Sequence, residues 1–80
     1  MKLSEAAAKV WDEIVQGWHE EGRPLPGYCG FTPDSFQEPV YQELEIEGLL
    51  KPKTSMRWTM TSGGFQKARL RAEEMGLSSD

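Results

Sequence analysis

Five prolines, at positions 24, 26, 33, 39 and 52, constrain this 80-residue chain more than any other feature. Each lacks a backbone N–H and carries a fixed φ, so none can sit inside a helix without breaking it. The longest segments free of them lie before Pro24 and after Pro52. The middle of the chain must be built from short pieces.

The first free segment reads as one helix over residues 4–21. Ser4 is a capping residue and Glu5 suits the positive end of the helix dipole. Ala6, Ala7, Val10, Trp11, Ile14, Val15 and Trp18 recur at helical spacing. Lys9, Asp12, Glu13, Gln16 and Glu20 fall on the other face. Gly22 ends the helix, and Pro24 and Pro26 forbid its continuation. Residues 22–30 read as a loop whose apolar side chains Leu25 and Tyr28, with Phe31 beyond, pack on the core as they pass. Of the aromatic residues, Trp11, Trp18, Phe36, Trp58 and Phe65 are expected in the core, with Trp18 and Tyr28 expected to be partly exposed.

Thr32-Pro33-Asp34 has the form of a helix start, with Pro at N1. Pro39 limits that helix to about residues 33–37 and displaces Glu38 from helical angles. A further helix over about 39–47 then starts with Pro39 at its own N1. Val40, Tyr41 and Leu44 form its inner face, and Gly48 ends it. A single kinked helix over 33–47 is the alternative. Leu49 and Leu50 lead into a strand that Pro52 ends. KPKTS, residues 51–55, turns the chain. Met56, Trp58 and Met60 then alternate with Arg57, Thr59 and Thr61, the period of a half-buried strand with the second set facing water. Thr61 or Ser62 caps a last helix with Phe65, Ala68, Ala72 and Met75 on its apolar stripe. Gly76 closes it, and the tail 77–80 is expected to fray.

The predicted class is α+β, mainly helical, in one domain spanning 1–80. Two stretches in this order resemble the winged helix-turn-helix superfamily. LEIEGLL at 44–50 resembles the end of a recognition helix entering the wing. MTSGGF at 60–65 resembles the step from the second wing strand into the final helix of MarR- and PadR-like regulators. The resemblance covers most of residues 4–75. It implies helix 1, a short helix 2, helix 3, a β-hairpin wing and a C-terminal helix, with DNA contacted through the wing and helix 3.

Charge divides the chain against that expectation. Residues 1–50 hold ten acids and three bases, and residues 51–80 hold six bases and three acids, within a net charge of −4. The helix expected to read DNA offers Gln42, Glu43, Glu45 and Glu47, and carboxylates repel a polyanion. The bases Lys51, Lys53 and Arg57 fall on the wing. Lys67, Arg69 and Arg71 fall on the last helix, with Lys67 and Arg71 four residues apart on one face. Two functions of different class follow. In one, a regulator-like homodimer contacts double-stranded DNA phosphates through Lys51, Lys53, Arg57, Lys67 and Arg71. In the other, a protein-binding module of inhibitor or adaptor type engages a basic protein surface through Gln42, Glu43, Glu45 and Glu47.

The inventory for chemistry is sparse. His19 is the only histidine and Cys29 the only cysteine. They supply neither a zinc set nor an internal disulfide. Gly63-Gly64 reads as a tight strand-to-helix step rather than a phosphate loop. No catalytic residue, cofactor or metal is expected. No signal peptide or membrane span is recognisable, so the expected compartment is cytoplasmic.

Overall fold

The structure, a computed structural model, describes residues 3–77. It is an α+β arrangement, about half helical, of three helices and a two-stranded antiparallel hairpin. The first helix, α1, runs Glu5–Glu20. The Ser4 hydroxyl accepts the Ala7 N–H at 3.1 Å, which satisfies one of the free donors of the first turn. Ala7, Trp11, Ile14, Val15 and Trp18 are buried along one stripe, as their spacing predicts. Gly22 and Arg23 then take left-handed angles, φ 92° and 58°, and turn the chain back. Arg23 is unusual there for lacking glycine's freedom. Its side chain is held in place, with Nε donating to His19 Nδ1 at 3.0 Å and the guanidinium lying 5.4 Å from the Trp18 ring centre.

The second helix, α2, runs Glu38–Ile46. The short helix expected over 33–37 is absent, and so is the kinked helix over 33–47. Residues 34–37 form a turn instead, closed by the Gln37 N–H to the Asp34 carbonyl at 2.8 Å. Pro39 removes the donor that would extend such a helix, and one isolated turn gains too few hydrogen bonds to nucleate. Phe36, expected in the core, is therefore 93% exposed.

Strand β1, Leu50–Pro52, pairs with β2, Trp58–Met60, in the register Leu50–Met60, Lys51–Thr59 and Pro52–Trp58. The predicted alternation holds only in part. Met60 is fully buried and Trp58 half-buried, but Met56 lies outside the strand and is exposed. Thr59, expected to face water, is 2% exposed. The cause is the loop after α1. It crosses over β2, and Thr59 Oγ1 accepts the Gly27 N–H at 3.0 Å beside Cys29 Sγ at 3.2 Å. Phe31 then pairs with Trp58 through two backbone bonds of 2.8 Å, so β2 has a neighbour on each side. Phe31 and Cys29 pack inward as the loop passes, whereas Leu25 and Tyr28 remain exposed. Trp18, expected in the core though partly exposed, is completely buried and donates its indole N–H to the Pro24 carbonyl at 2.9 Å.

The last helix, α3, runs Ser62–Glu74 and is capped by Thr61, whose hydroxyl accepts the Gly64 N–H at 2.8 Å. The same hydroxyl donates to the Gly48 carbonyl. The Thr61 N–H donates to the Leu49 carbonyl at 3.1 Å. The end of α2 and the start of α3, the two stretches that carry the family resemblance, thus meet at one junction. Gly48, with φ 80°, makes the sharp exit from α2. Gly64 lies against Leu49 so closely that a Cβ would stand 2.8 Å from the Leu49 carbonyl carbon.

One hydrophobic cluster joins all three helices and the hairpin. Its centre includes Trp18, Leu44, Leu49, Leu50 and Met60. Burying each such side chain stabilises the fold by about 1.5–3 kcal/mol. Trp18 meets Phe65 edge-on at 5.5 Å, and Tyr41 meets Trp58 at 5.8 Å. Leu77 is bonded to the Ala72 carbonyl through its N–H and packs on the cluster, so it is not frayed. The rest of the expected tail, 78–80, lies outside the described residues. No helix among the described residues is long and apolar enough to cross a membrane.

Candidate interaction surfaces

The hairpin carries its bases outward. Lys51, Lys53 and Arg57 are all exposed, Lys51 on β1 and the other two around the connection. The connection is closed by the Lys53 and Thr54 N–H groups, both donating to the Arg57 carbonyl at 2.8 and 3.1 Å. That pair fixes where the Lys53 and Arg57 side chains leave the backbone. The Arg57 guanidinium also lies across Gly30, its Cζ 2.8 Å from where a Cβ would be. A side chain at position 30 would push it away. Among the described residues, both ion pairs belong to Arg71, so the hairpin bases are unneutralised.

The two basic positions expected to act together on α3 separate. Lys67 is exposed. Arg71 is not available in the same sense. Its Nε and Nη2 clasp the two oxygens of Asp12 on α1 at 2.7 and 2.9 Å, and Nη1 reaches Glu74 at 3.2 Å. Hydrogen bonding to Asp12, then to Glu74, holds its pKa above the ordinary arginine value. Arg71 ties α3 to α1 and its charge is already matched. Arg69 is exposed beside it in sequence.

The acidic helix also divides. Gln42 and Glu45 are exposed on α2. Glu43 is not free: its two oxygens accept the Ser4 hydroxyl and the Ser4 N–H, each at 2.9 Å. It completes the cap of α1, where a negative charge is favoured by the helix dipole. Glu47 is half-buried at the C-cap of α2. The outer face therefore comprises Glu38, Pro39, Gln42, Glu45 and Ile46 and carries no base. Ile46 is 83% exposed. Sequence reasoning passed over it, although it lies two residues past buried Leu44, about 200° around the helix from it.

His19 is half-buried and engaged by Arg23, and Cys29 is buried against Thr59. Among the described residues, no group of three or more His, Cys, Asp or Glu side chains could hold a metal ion. The Tyr41 hydroxyl is the most perturbed acid. Burial, then the charges of Asp34 and Glu13, push its pKa up to about 12. Comparison of the chain with protein-family models, with curated proteins and with solved structures finds no match in any of the three.

Proposed function

We propose that this domain is a winged-helix DNA-binding module, regulator-like and non-enzymatic, that holds duplex phosphates with Lys51, Lys53 and Arg57 on the hairpin. One observation carries the reading: these three exposed cations share one hairpin, and none has a carboxylate within ion-pair distance among the described residues. Unpaired cations on a projecting element are what a phosphate backbone selects. Lys67 extends the set. Arg71 contributes little beyond its clasp on Asp12. The outer face of α2 does not read base edges in this account, since a carboxylate about 4 Å from a phosphate costs roughly 1 kcal/mol even in water. Binding is then governed by phosphates and weakly by sequence.

A homodimer belongs to the same proposal. A groove between α1 and α3 is lined by Leu3, Trp11 and the 59% exposed Leu70, with Lys67 and Glu74 also on it. A two-fold axis near Leu70 would bury that side chain against its copy.

The test is duplex binding at low salt by fluorescence anisotropy. Lys51→Glu with Lys53→Glu abolishes binding, and Glu45→Gln leaves it unchanged or tighter. Binding that survives the double lysine change together with Arg57→Glu overturns the assignment. The exposed Ile46 between acidic neighbours favours a second reading, in which the outer face of α2 docks on a basic protein. Under that reading Ile46→Ser and Glu45→Gln weaken capture of the partner, and the lysine changes do not.

A further inference from the structure

Two surfaces of opposite charge stand side by side in this chain, and each carries an exposed apolar side chain. The first is the outer face of α2. Pro39, Gln42 and Ile46 recur at intervals of three and four, so they form one stripe on the side of the helix away from buried Leu44. Glu38 and Glu45 are two turns apart and flank that stripe on one side, about 10 Å from each other. All five residues are exposed, and neither glutamate forms an ion pair among the described residues.

The second is the hairpin tip. Residues 51–57 are exposed without exception. The Lys53 and Thr54 N–H groups both donate to the Arg57 carbonyl, which holds Lys53 across the hairpin from Arg57. Met56 lies beside them in the connection and is 72% exposed. An apolar side chain so placed gains nothing from the domain's own core, and the same is true of Ile46 at 83%. Within one chain the two surfaces do not satisfy each other, since every tip residue is exposed and no ion pair joins the tip to α2 among the described residues.

The surfaces match in kind: three cations around a methionine, and two carboxylates beside an isoleucine with no base among them. Complementary charge sets the partner and register of a contact, and apolar contact at its centre adds affinity. We propose that the hairpin tip of one copy docks on the outer face of α2 of a second copy, with Lys51, Lys53 and Arg57 against Glu38 and Glu45 and Met56 against Ile46. A contact between unlike surfaces grows into chains of molecules unless a rotation closes it into a ring. The proposal deepens the second reading above, on which it rests for the use of α2, by naming the basic partner as this chain itself. Its assays contain neither nucleic acid nor a foreign protein, so their failure is distinct from the failure of either reading.

The test is sedimentation equilibrium of the whole domain from about 20 µM to 1 mM at about 20 mM salt. The average mass rises with concentration, with a Kd of about 1 mM or tighter. Raising the salt to about 200 mM weakens the association at least threefold, since the paired charges are exposed. Lys51→Glu with Lys53→Glu, and separately Glu38→Lys with Glu45→Lys, each weaken it at least about tenfold, because attractions become repulsions. All four positions are exposed, where substitutions leave the fold nearly unaffected. Mixing the two variants restores the association. The chain carrying all four changes has the parent's net charge and associates with itself again. Met56→Ser and Ile46→Ser each weaken the contact without any change of charge, and Leu70→Ser leaves it intact. No rise in mass up to about 1 mM at low salt, association that survives either reversal, or reversed variants that do not recover on mixing overturns the proposal. Association lost in Leu70→Ser but kept in both reversals overturns it too, and assigns the contact to the groove between α1 and α3.

Discussion

Gly64→Ala isolates the junction on which the arrangement of hairpin and helices depends. An alanine Cβ there would overlap the Leu49 carbonyl oxygen and stand 2.8 Å from its carbon and 3.0 Å from its Cα. All three are backbone atoms, so no rotamer change relieves the contact. Carbon atoms settle at about 3.5–4.0 Å, so α3 must withdraw by on the order of 1 Å. That movement strains the Thr61 bonds to the Leu49 and Gly48 carbonyls. Losing them costs about 1 kcal/mol each. Overpacking adds roughly 1–3 kcal/mol, and the better helix propensity of alanine returns about 1 kcal/mol. The net expectation is a destabilisation of roughly 2–4 kcal/mol. Gly63→Ala is the internal control. Its Cβ would lie 3.8 Å from the Gly48 carbonyl oxygen, an ordinary contact. It should stabilise the domain by up to about 1 kcal/mol. Urea unfolding followed by tryptophan emission measures both, since Trp18 is fully buried against Phe65. A Gly64→Ala protein as stable as Gly63→Ala would refute the junction as described.

Further changes probe other parts of the account. Thr59→Val keeps the shape of a buried side chain but removes the acceptor of the Gly27 N–H. It should cost about 1–3 kcal/mol in the same unfolding assay. The Tyr41 hydroxyl loses its proton about two pH units later in the folded chain than its ordinary value of 10.0. Its neutral form is the favoured one when folded, so the stabilisation is complete below pH 10 and disappears as pH rises to about 12. The loss is at most about 2–3 kcal/mol. Unfolding free energies of Tyr41→Phe and the parent, compared at pH 9 and above pH 11, measure it; equal slopes in the two proteins would refute the burial argument. Phe36→Ser, at a 93% exposed position, should change stability by no more than about 0.5 kcal/mol.

Much of the fold was legible because its signals are local. The period of α1, the Ser4 cap, the stop at Gly22, the start of α2 beside Pro39 and the Thr61 cap need only neighbours in sequence to act. The errors share a different cause. Alternation places Thr59 in water because it reports one buried face, and nothing near it in sequence reveals that residues 27–29 cross the other. The spacing of Phe36 points to the core, but the competing signal, Pro39 three residues on, determines the backbone. The candidate surfaces follow the same division. Lys51, Lys53 and Arg57 are exposed where the hairpin pattern puts them. The bonds of Glu43 to Ser4 and of Arg71 to Asp12 span 39 and 59 residues, and no local pattern announces them. Those two bonds are what reduce an apparently broad acidic face and an apparently paired basic one to the groups that remain free.

The central claim is that the hairpin cations meet phosphates. Its most direct measurement is the salt dependence of duplex binding by the intact chain, from about 20 to 200 mM salt. The account predicts a linear fall of log K with log salt concentration. Three or four phosphate contacts give a slope of about −2.7 to −3.6 per domain, twice that for the homodimer, and Lys53→Gln reduces its magnitude by about 1 per domain. No binding at the lowest salt, or binding whose slope is unchanged by Lys53→Gln, would contradict it.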